Sequence, residues 1–205
     1  MTKSPLTLYW AKGTCSFAVH IALREAAAPV DLVRVDLRTR KTAAGDDLAR
    51  VTPKGYVPAL RLADGTVLTE TAIILQHLAD LYPEARLAPP RDDPSRLRFD
   101  ERIQFIATEL HKAFAPFTIM PNPGEEAKAW AKARLDTRIA LLAEDLGDKP
   151  FFDERGFTIA DAYAYYALVA YRTFVRAELP APIAAYAERI AARPSVRAAV
   201  EAEKS

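Results

Sequence analysis

The amino-acid sequence predicts a mixed α/β domain followed by an all-α domain. Strand-like runs are confined to the stretch before Glu70. Pro83 to Pro94 then gathers four prolines and the charged run Arg91-Asp92-Asp93, a composition that marks a domain boundary. Beyond it no strand-like run appears, and alanine-rich segments carry apolar residues at helical spacing. The expected division is 1–82 for the first domain, 83–93 for the linker and 94–205 for the second.

In the first domain, Leu6-Thr7-Leu8-Tyr9-Trp10 is rich in β-favouring residues and reads as a strand. Gly13 supplies a turn, and from Ser16 an apolar, alanine-rich helix runs until it is stopped before Pro29. The chain's single cysteine, Cys15, falls at the first turn of that helix. Unpaired N–H groups and the positive end of the helix dipole favour a thiolate there, its own or a ligand's. Val30 to Asp36 alternates apolar and polar residues, as a half-buried strand does. Leu37 to Gly45 is polar and basic and reads as a loop, Asp46 to Val51 as a short irregular helix, and Thr52-Pro53-Lys54-Gly55 as a turn. Asp64-Gly65 between two apolar runs signals a hairpin, whose first strand Pro58 can open but not occupy in the middle. From Thr71, the residues Ile73, Ile74, Leu75, Leu78 and Leu81 fit a helix ending near Tyr82. A hairpin following a helical crossover requires a sheet that mixes parallel and antiparallel strands.

In the second domain, Leu97, Ile103, Ile106, Leu110, Phe114 and Phe117 form one apolar stripe along a single long helix, Ser95 to about Phe117. A second helix spans Glu125 to Leu146, with Gly147 as its C′ residue. Thr158-Ile159-Ala160-Asp161 sets a hydroxyl cap three residues before an acid and starts a third helix, running to about Phe174. Two shorter helices, each opening on proline, cover Pro182 to Ala192 and Pro194 to about Glu203.

The totals exclude several classes of function. Lys and Arg number 28 against 27 Asp and Glu, a net charge of +1 that argues against a general polyanion or nucleic-acid binder. One cysteine rules out an intrachain disulfide and a multi-cysteine zinc site. The three histidines, His20, His77 and His111, are far apart, so no metal is expected. No apolar run approaches 18 residues and Met-Thr-Lys-Ser-Pro leads straight toward a strand, so neither a membrane span nor a signal peptide is expected. The expectation is a soluble, cytoplasmic protein.

Taken together, the pieces resemble the cytosolic glutathione S-transferases, and in detail their bacterial beta class. The resemblance runs essentially end to end. It is carried by Gly13-Thr14-Cys15-Ser16, by Pro53-Lys54-Gly55-Tyr56-Val57-Pro58-Ala59-Leu60 and by Leu68-Thr69-Glu70-Thr71. In the second domain it is carried by Ile106-Ala107-Thr108-Glu109-Leu110-His111-Lys112 and Phe157-Thr158-Ile159-Ala160-Asp161-Ala162-Tyr163. It implies a thioredoxin-like first domain built on a mixed four-stranded sheet, an all-helical bundle as the second, and a homodimer. It implies glutathione as co-substrate with no prosthetic group, and a small, mostly apolar electrophile as its partner.

Site residues follow from the same resemblance. Cys15 matches the cysteine beside the glutathione sulfur. A second cysteine three residues on, as a thioredoxin-type dithiol needs, is replaced by Ala18. Val57-Pro58 matches the family's cis-proline, whose preceding residue pairs with the cysteinyl peptide. Glu70 and Thr71 match the positions that meet the γ-glutamyl ammonium and carboxylate, with Thr71 standing where glycine or serine is common. Arg40 falls where a lysine commonly contacts the glycyl carboxylate; Arg38, Arg40 and Lys41 also compose an ordinary solvated loop. Gln104, Thr108 and His111, four and three residues apart, share a helix face, with His111 placed to hydrogen-bond the thiolate or act as a base toward it. Gln104 replaces a more usual asparagine and Tyr56 a smaller polar residue. Tyr9 and Ser16 remain alternatives for holding the thiolate, since other transferase classes use an N-terminal hydroxyl. Thr158 and Asp161 read as folding determinants. Ala115 to Pro123 and the aromatics Tyr163, Tyr166 and Tyr171 bear on the electrophile, although those tyrosines serve equally well as core. The leading expectation is glutathione conjugation; the alternatives are glutathione-dependent thiol–disulfide exchange through Cys15 and a non-catalytic carrier of apolar ligands.

Overall fold

The computed structural model describes residues 6–204, so the expectation for the first five residues lies outside it. The described residues form two units, one running to Leu87 and completed by the chain from Pro194 onward, the other spanning Ala88–Arg193. The first unit therefore departs from the expected division: the last helix belongs with the sheet and not with the helical bundle.

The first unit holds β1 (Leu6–Trp10), α1 (Ser16–Glu25), β2 (Val30–Asp36), β3 (Lys41–Thr42), β4 (Ala59–Arg61), β5 (Val67–Thr69) and α2 (Thr71–Leu81). The strands make one sheet in the order β3-β2-β1-β4-β5. β1 lies parallel to β2, with Leu6 opposite Val30, and antiparallel to β4, with Tyr9 opposite Ala59. The sheet thus has five strands where four were expected. The extra one, β3, falls within the stretch read as loop and pairs antiparallel with the end of β2 through Val35–Thr42 and Asp36–Lys41. The hairpin β4–β5 turns at Asp64-Gly65, where Gly65 takes a φ of +87° and the Asp64 carboxylate accepts the Thr66 N–H. A short 3-10 turn, Leu48–Arg50, stands where the irregular helix was expected, capped by the Asp47 side chain accepting from the Ala49 N–H.

Every residue of α1 from Ser16 to Leu23 is buried, and all of them but Ser16 and His20 are apolar. The helix packs against α2 and against α8 (Pro194–Ala202), the element that completes the unit. At that contact His20 Nδ1 lies 3.2 Å from Glu203 Oε1, while Arg24 Nε donates to His20 Nε2 at 3.2 Å. Val196 and Ala199 supply the apolar side of α8.

The second unit is helical: α3 (Arg96–Phe105), α4 (Ala115–Thr118), α5 (Glu125–Leu146), α6 (Ile159–Ala170) and α7 (Ala181–Ala191). The expected long helix is continuous in path but not regular. Between α3 and α4 it passes through a π turn, Ile106–Leu110, and a 3-10 turn, His111–Phe114. Ile103, Ile106, Leu110 and Phe114 are buried as their spacing requires, but Leu97 is 77% exposed. The core position there is taken by Phe99, while the neighbouring Arg96 is buried because its guanidinium donates to the Pro89 carbonyl and the Asp100 carboxylate. α5 ends at Gly147 with φ +55°, as its C′ glycine predicts. Thr158 and Asp161 cap α6: the buried Asp161 carboxylate accepts from the Thr158 N–H and hydroxyl, from the Phe152 N–H and from the Tyr186 hydroxyl. Phe157, just before the cap, packs edge-on to Phe151 beneath the Arg193 guanidinium. Among the described residues no helix is long and apolar enough to cross a membrane.

Candidate functional site

The turn Thr52 to Pro58 is the hub of the first unit's candidate site. It closes through the Gly55 N–H donating to the Thr52 carbonyl, with Gly55 at φ +62°. Three of the predicted positions converge on it. Cys15, the N-cap of α1, is 8% exposed, and its Sγ lies 3.9 Å from the Val57 carbonyl oxygen. The Val57–Pro58 bond is cis, as the resemblance implies. Arg40 reaches the same turn: its Nη1 is 3.7 Å from the point where a Cβ on Gly55 would stand. Arg40 itself has φ +57°, with its N–H held by the Asp36 carbonyl and its carbonyl by the Leu48 N–H.

Glu70 and Thr71 end β5 and open α2. Thr71 is buried in the first turn of the helix, and Glu70 is its N-cap at φ +70°, ψ +114°. A non-glycine residue seldom adopts such a φ, and residues that do gather at binding sites. The Glu70 carboxylate is tied back to the hub, accepting from Lys54 Nζ at 2.9 Å and from the Tyr56 hydroxyl at 2.5 Å. That bond to Glu70 is the main cause pushing the Tyr56 phenol above its ordinary value. Sequence reasoning missed this link, because neither residue type nor spacing marks Lys54 and Tyr56 as partners of a residue sixteen and fourteen positions on.

Of the two alternative hydroxyls, that of Ser16 is engaged elsewhere. Ser16 is fully buried, and its Oγ bonds the Ala11 backbone and the Thr14 hydroxyl, the latter at 2.7 Å. Tyr9 belongs to the core cluster of Ala11, Val35, Leu48, Val57 and Ala59, with the Arg61 guanidinium 5.2 Å over its ring.

In the helical unit, Gln104 and Thr108 are exposed and linked, the Thr108 hydroxyl donating to the Gln104 carbonyl at 2.9 Å. His111 is half-buried and turned toward α6, where its Nδ1 lies 2.9 Å from the Tyr163 hydroxyl and its ring meets Tyr166 edge-on. The three do not continue one α-helical line. The π turn ending at Leu110 admits an extra residue into the coil and rotates His111 relative to Gln104. The same unit carries a groove of about 400 Å³ lined by Pro116, Phe117, Met120, Phe174, Lys128 and Arg176, among others. It coincides with the Ala115–Pro123 segment and the end of the third helix, whereas Tyr163, Tyr166 and Tyr171 are buried in the core. Among the described residues no group of three His, Cys, Asp or Glu side chains is placed to hold a metal ion.

A sheet unit with a cysteine at a helix start beside a cis-proline, followed by a helical unit, defines the architecture of the thiol transferases. The sequence profile described as glutathione S-transferase, N-terminal domain, matches residues 14–81. Glutathione S-transferase GstA of Escherichia coli O157:H7 is 42% identical over 199 residues, covering 97% of this chain and 98% of that protein. Two solved structures are similar throughout. A sphingomonad glutathione S-transferase complexed with glutathione has a TM-score of 0.90 at 40% identity, covering 97% of this chain and 98% of its own. The bacterial beta class enzyme of Sphingomonas chungbukensis has a TM-score of 0.88 at 40% identity, covering 96% and 98%. The chain belongs to the glutathione S-transferase family, and within it to the bacterial beta class.

Proposed function

We propose that this protein is a glutathione transferase, joining the glutathione thiolate to small electrophiles, mostly apolar ones. The observation that carries the reading is the meeting of Cys15 and the Val57 carbonyl at one turn, in a chain of this family. In this reading the tripeptide pairs with the Val57 backbone, its γ-glutamyl end meets Glu70 and Thr71, and Arg40 takes the glycyl carboxylate. Arginine suits that task because its planar fork holds a carboxylate by two bonds and is charged at every working pH. Gln104, Thr108 and His111 are assigned to the same substrate on the family pattern. The ligand's sulfur is held as thiolate near the start of α1, where the helix dipole and a Cys15 S–H donor both favour the anion. Lowering a thiol pKa by two units takes about 2.7 kcal/mol, within reach of one helix terminus and one or two hydrogen bonds. The thiolate then attacks the electrophilic carbon, and a leaving group departs or a proton is taken up. We further propose a cytoplasmic homodimer, with no nucleic acid or membrane as partner.

Calorimetric titration with glutathione, paired with turnover of a generic aryl halide, tests the proposal. Saturable binding and glutathione-dependent release of halide are expected. Binding with no turnover of any electrophile would support a carrier, and no binding would remove the proposal altogether.

A further inference from the structure

Glu70 is held from the side by two donors that meet at one oxygen. The Tyr56 hydroxyl lies 2.5 Å and Lys54 Nζ 2.9 Å from the same Oε1, and the Lys54 ammonium stands 5.8 Å from the centroid of the Tyr56 ring. All three groups reach solvent: Tyr56 is 43% exposed, and the Lys54 and Glu70 side chains are nearly half so. An ion pair this open adds little to folding stability. Its geometry is nonetheless well defined, because the Glu70 backbone sits at φ +70° and its carboxylate is anchored to the turn that carries Val57.

The two donors differ in kind. Lys54 orients the carboxylate and also cancels its charge. Tyr56 orients it while leaving the charge in place. A ligand ammonium is attracted in proportion to the charge that remains, so the phenol is the donor that fixes direction without weakening attraction.

We propose that Tyr56 is a positioning residue, whose hydroxyl holds the Glu70 carboxylate toward the ligand's α-ammonium and so sets the preference for a thiol peptide that carries one. This rests on the reading that Glu70 meets the γ-glutamyl end of glutathione. Without the phenol, Glu70 loses the donor that fixes its direction without taking up its charge, and the carboxylate is held toward the ligand less firmly. The preference therefore falls even though the carboxylate is still present.

The test measures dissociation constants for glutathione and for its analogue with a glutaryl group in place of γ-glutamyl, which lacks the amine. The wild-type protein is expected to favour glutathione. Tyr56→Phe should reduce that preference roughly five-fold by weakening glutathione alone, the worth of one oriented hydrogen bond, with an unchanged melting temperature. Glu70→Gln should abolish the preference. If Tyr56→Phe keeps the wild-type preference, or weakens both ligands equally, while Glu70→Gln abolishes it, the role of Tyr56 is overturned and that of Glu70 stands. If Glu70→Gln keeps the preference, the underlying reading of Glu70 fails, and the inference with it.

Discussion

The Nδ1 atom of His111 lies 2.9 Å from the hydroxyl of Tyr163, a phenol that is 1% exposed. With the Tyr163 ring at 71° and the Tyr166 ring at 88° to its plane, α6 holds the imidazole in rotation. His111→Ala should lower kcat/KM for conjugation by about 10- to 100-fold, the worth of one hydrogen bond to a charged thiolate. Tyr163→Phe keeps the ring and removes one bond, so it should cost less than about ten-fold in kcat/KM and about 1 kcal/mol in stability. Steady-state kinetics with urea titrations of both variants separate the two effects.

Cys15 distinguishes the two enzymatic chemistries. A thiol beside the ligand sulfur can lend it a hydrogen bond, which serine also lends, or exchange with it, which serine cannot. Cys15→Ser should abolish glutathione-dependent disulfide reduction and leave conjugation within about ten-fold of wild type. Assays of both reactions on one preparation check this; equal loss of both would make the thiol itself necessary for conjugation.

Asp161 is the most heavily used carboxylate in the helical unit. Burial pushes its carboxyl above the ordinary range, and backbone and side-chain donors from Phe152, Thr158 and Tyr186 pull the other way. Asp161→Ala would deprive those buried donors of their acceptor together, a loss of about 4 kcal/mol. A denaturation midpoint shifted far down, or a variant recovered only in aggregated form, is the expected result.

Arg155 gathers Asp153, Asp93 and the Ser95 hydroxyl at 2.7–2.8 Å. Hydrogen bonds from Ser95 foremost, then Arg155, hold Asp93 below its usual value, and Arg155 foremost does so for Asp153. Native values depressed below the unfolded one give a stabilisation that is present above about pH 4 and is lost as pH falls through the native values. Arg155→Ala should therefore melt roughly 3 °C lower at pH 7, with the gap to wild type closing toward pH 3. A gap that stays constant with pH would show that the arginine acts through packing alone.

Much of this architecture was legible in advance, and the failures share a physical cause. Alternation in Val30–Asp36, the Asp64-Gly65 turn and the cap pair Thr158–Asp161 are local signals, and each produced the element expected of it. β3 was not legible because only Thr42 of its two residues is buried, too short a run for any period to register. Leu97 and Arg96 exchanged their expected places because a guanidinium can be buried once a carbonyl and a carboxylate are waiting for it. The last helix was legible from its opening proline alone, which does not say which unit it joins. At the site, Cys15 stood out by its place at a helix start, whereas the cis bond and the roles proposed for Arg40 and Glu70 came only from the family resemblance. Tyr56 was noticed as a departure from that pattern, yet its partner lies across a hairpin and is a fact of tertiary structure alone.

The helix that presents Cys15 is roofed by residues synthesised after the helical bundle. Until the stretch after Arg193 has emerged, the outer side of α1 and its imidazole at position 20 stay wet, however complete the sheet beneath them. In chain terms the whole helical bundle is an insertion into a domain begun before it and finished after it. Nascent chains halted before residue 194 should accordingly expose the segment that begins at Cys15.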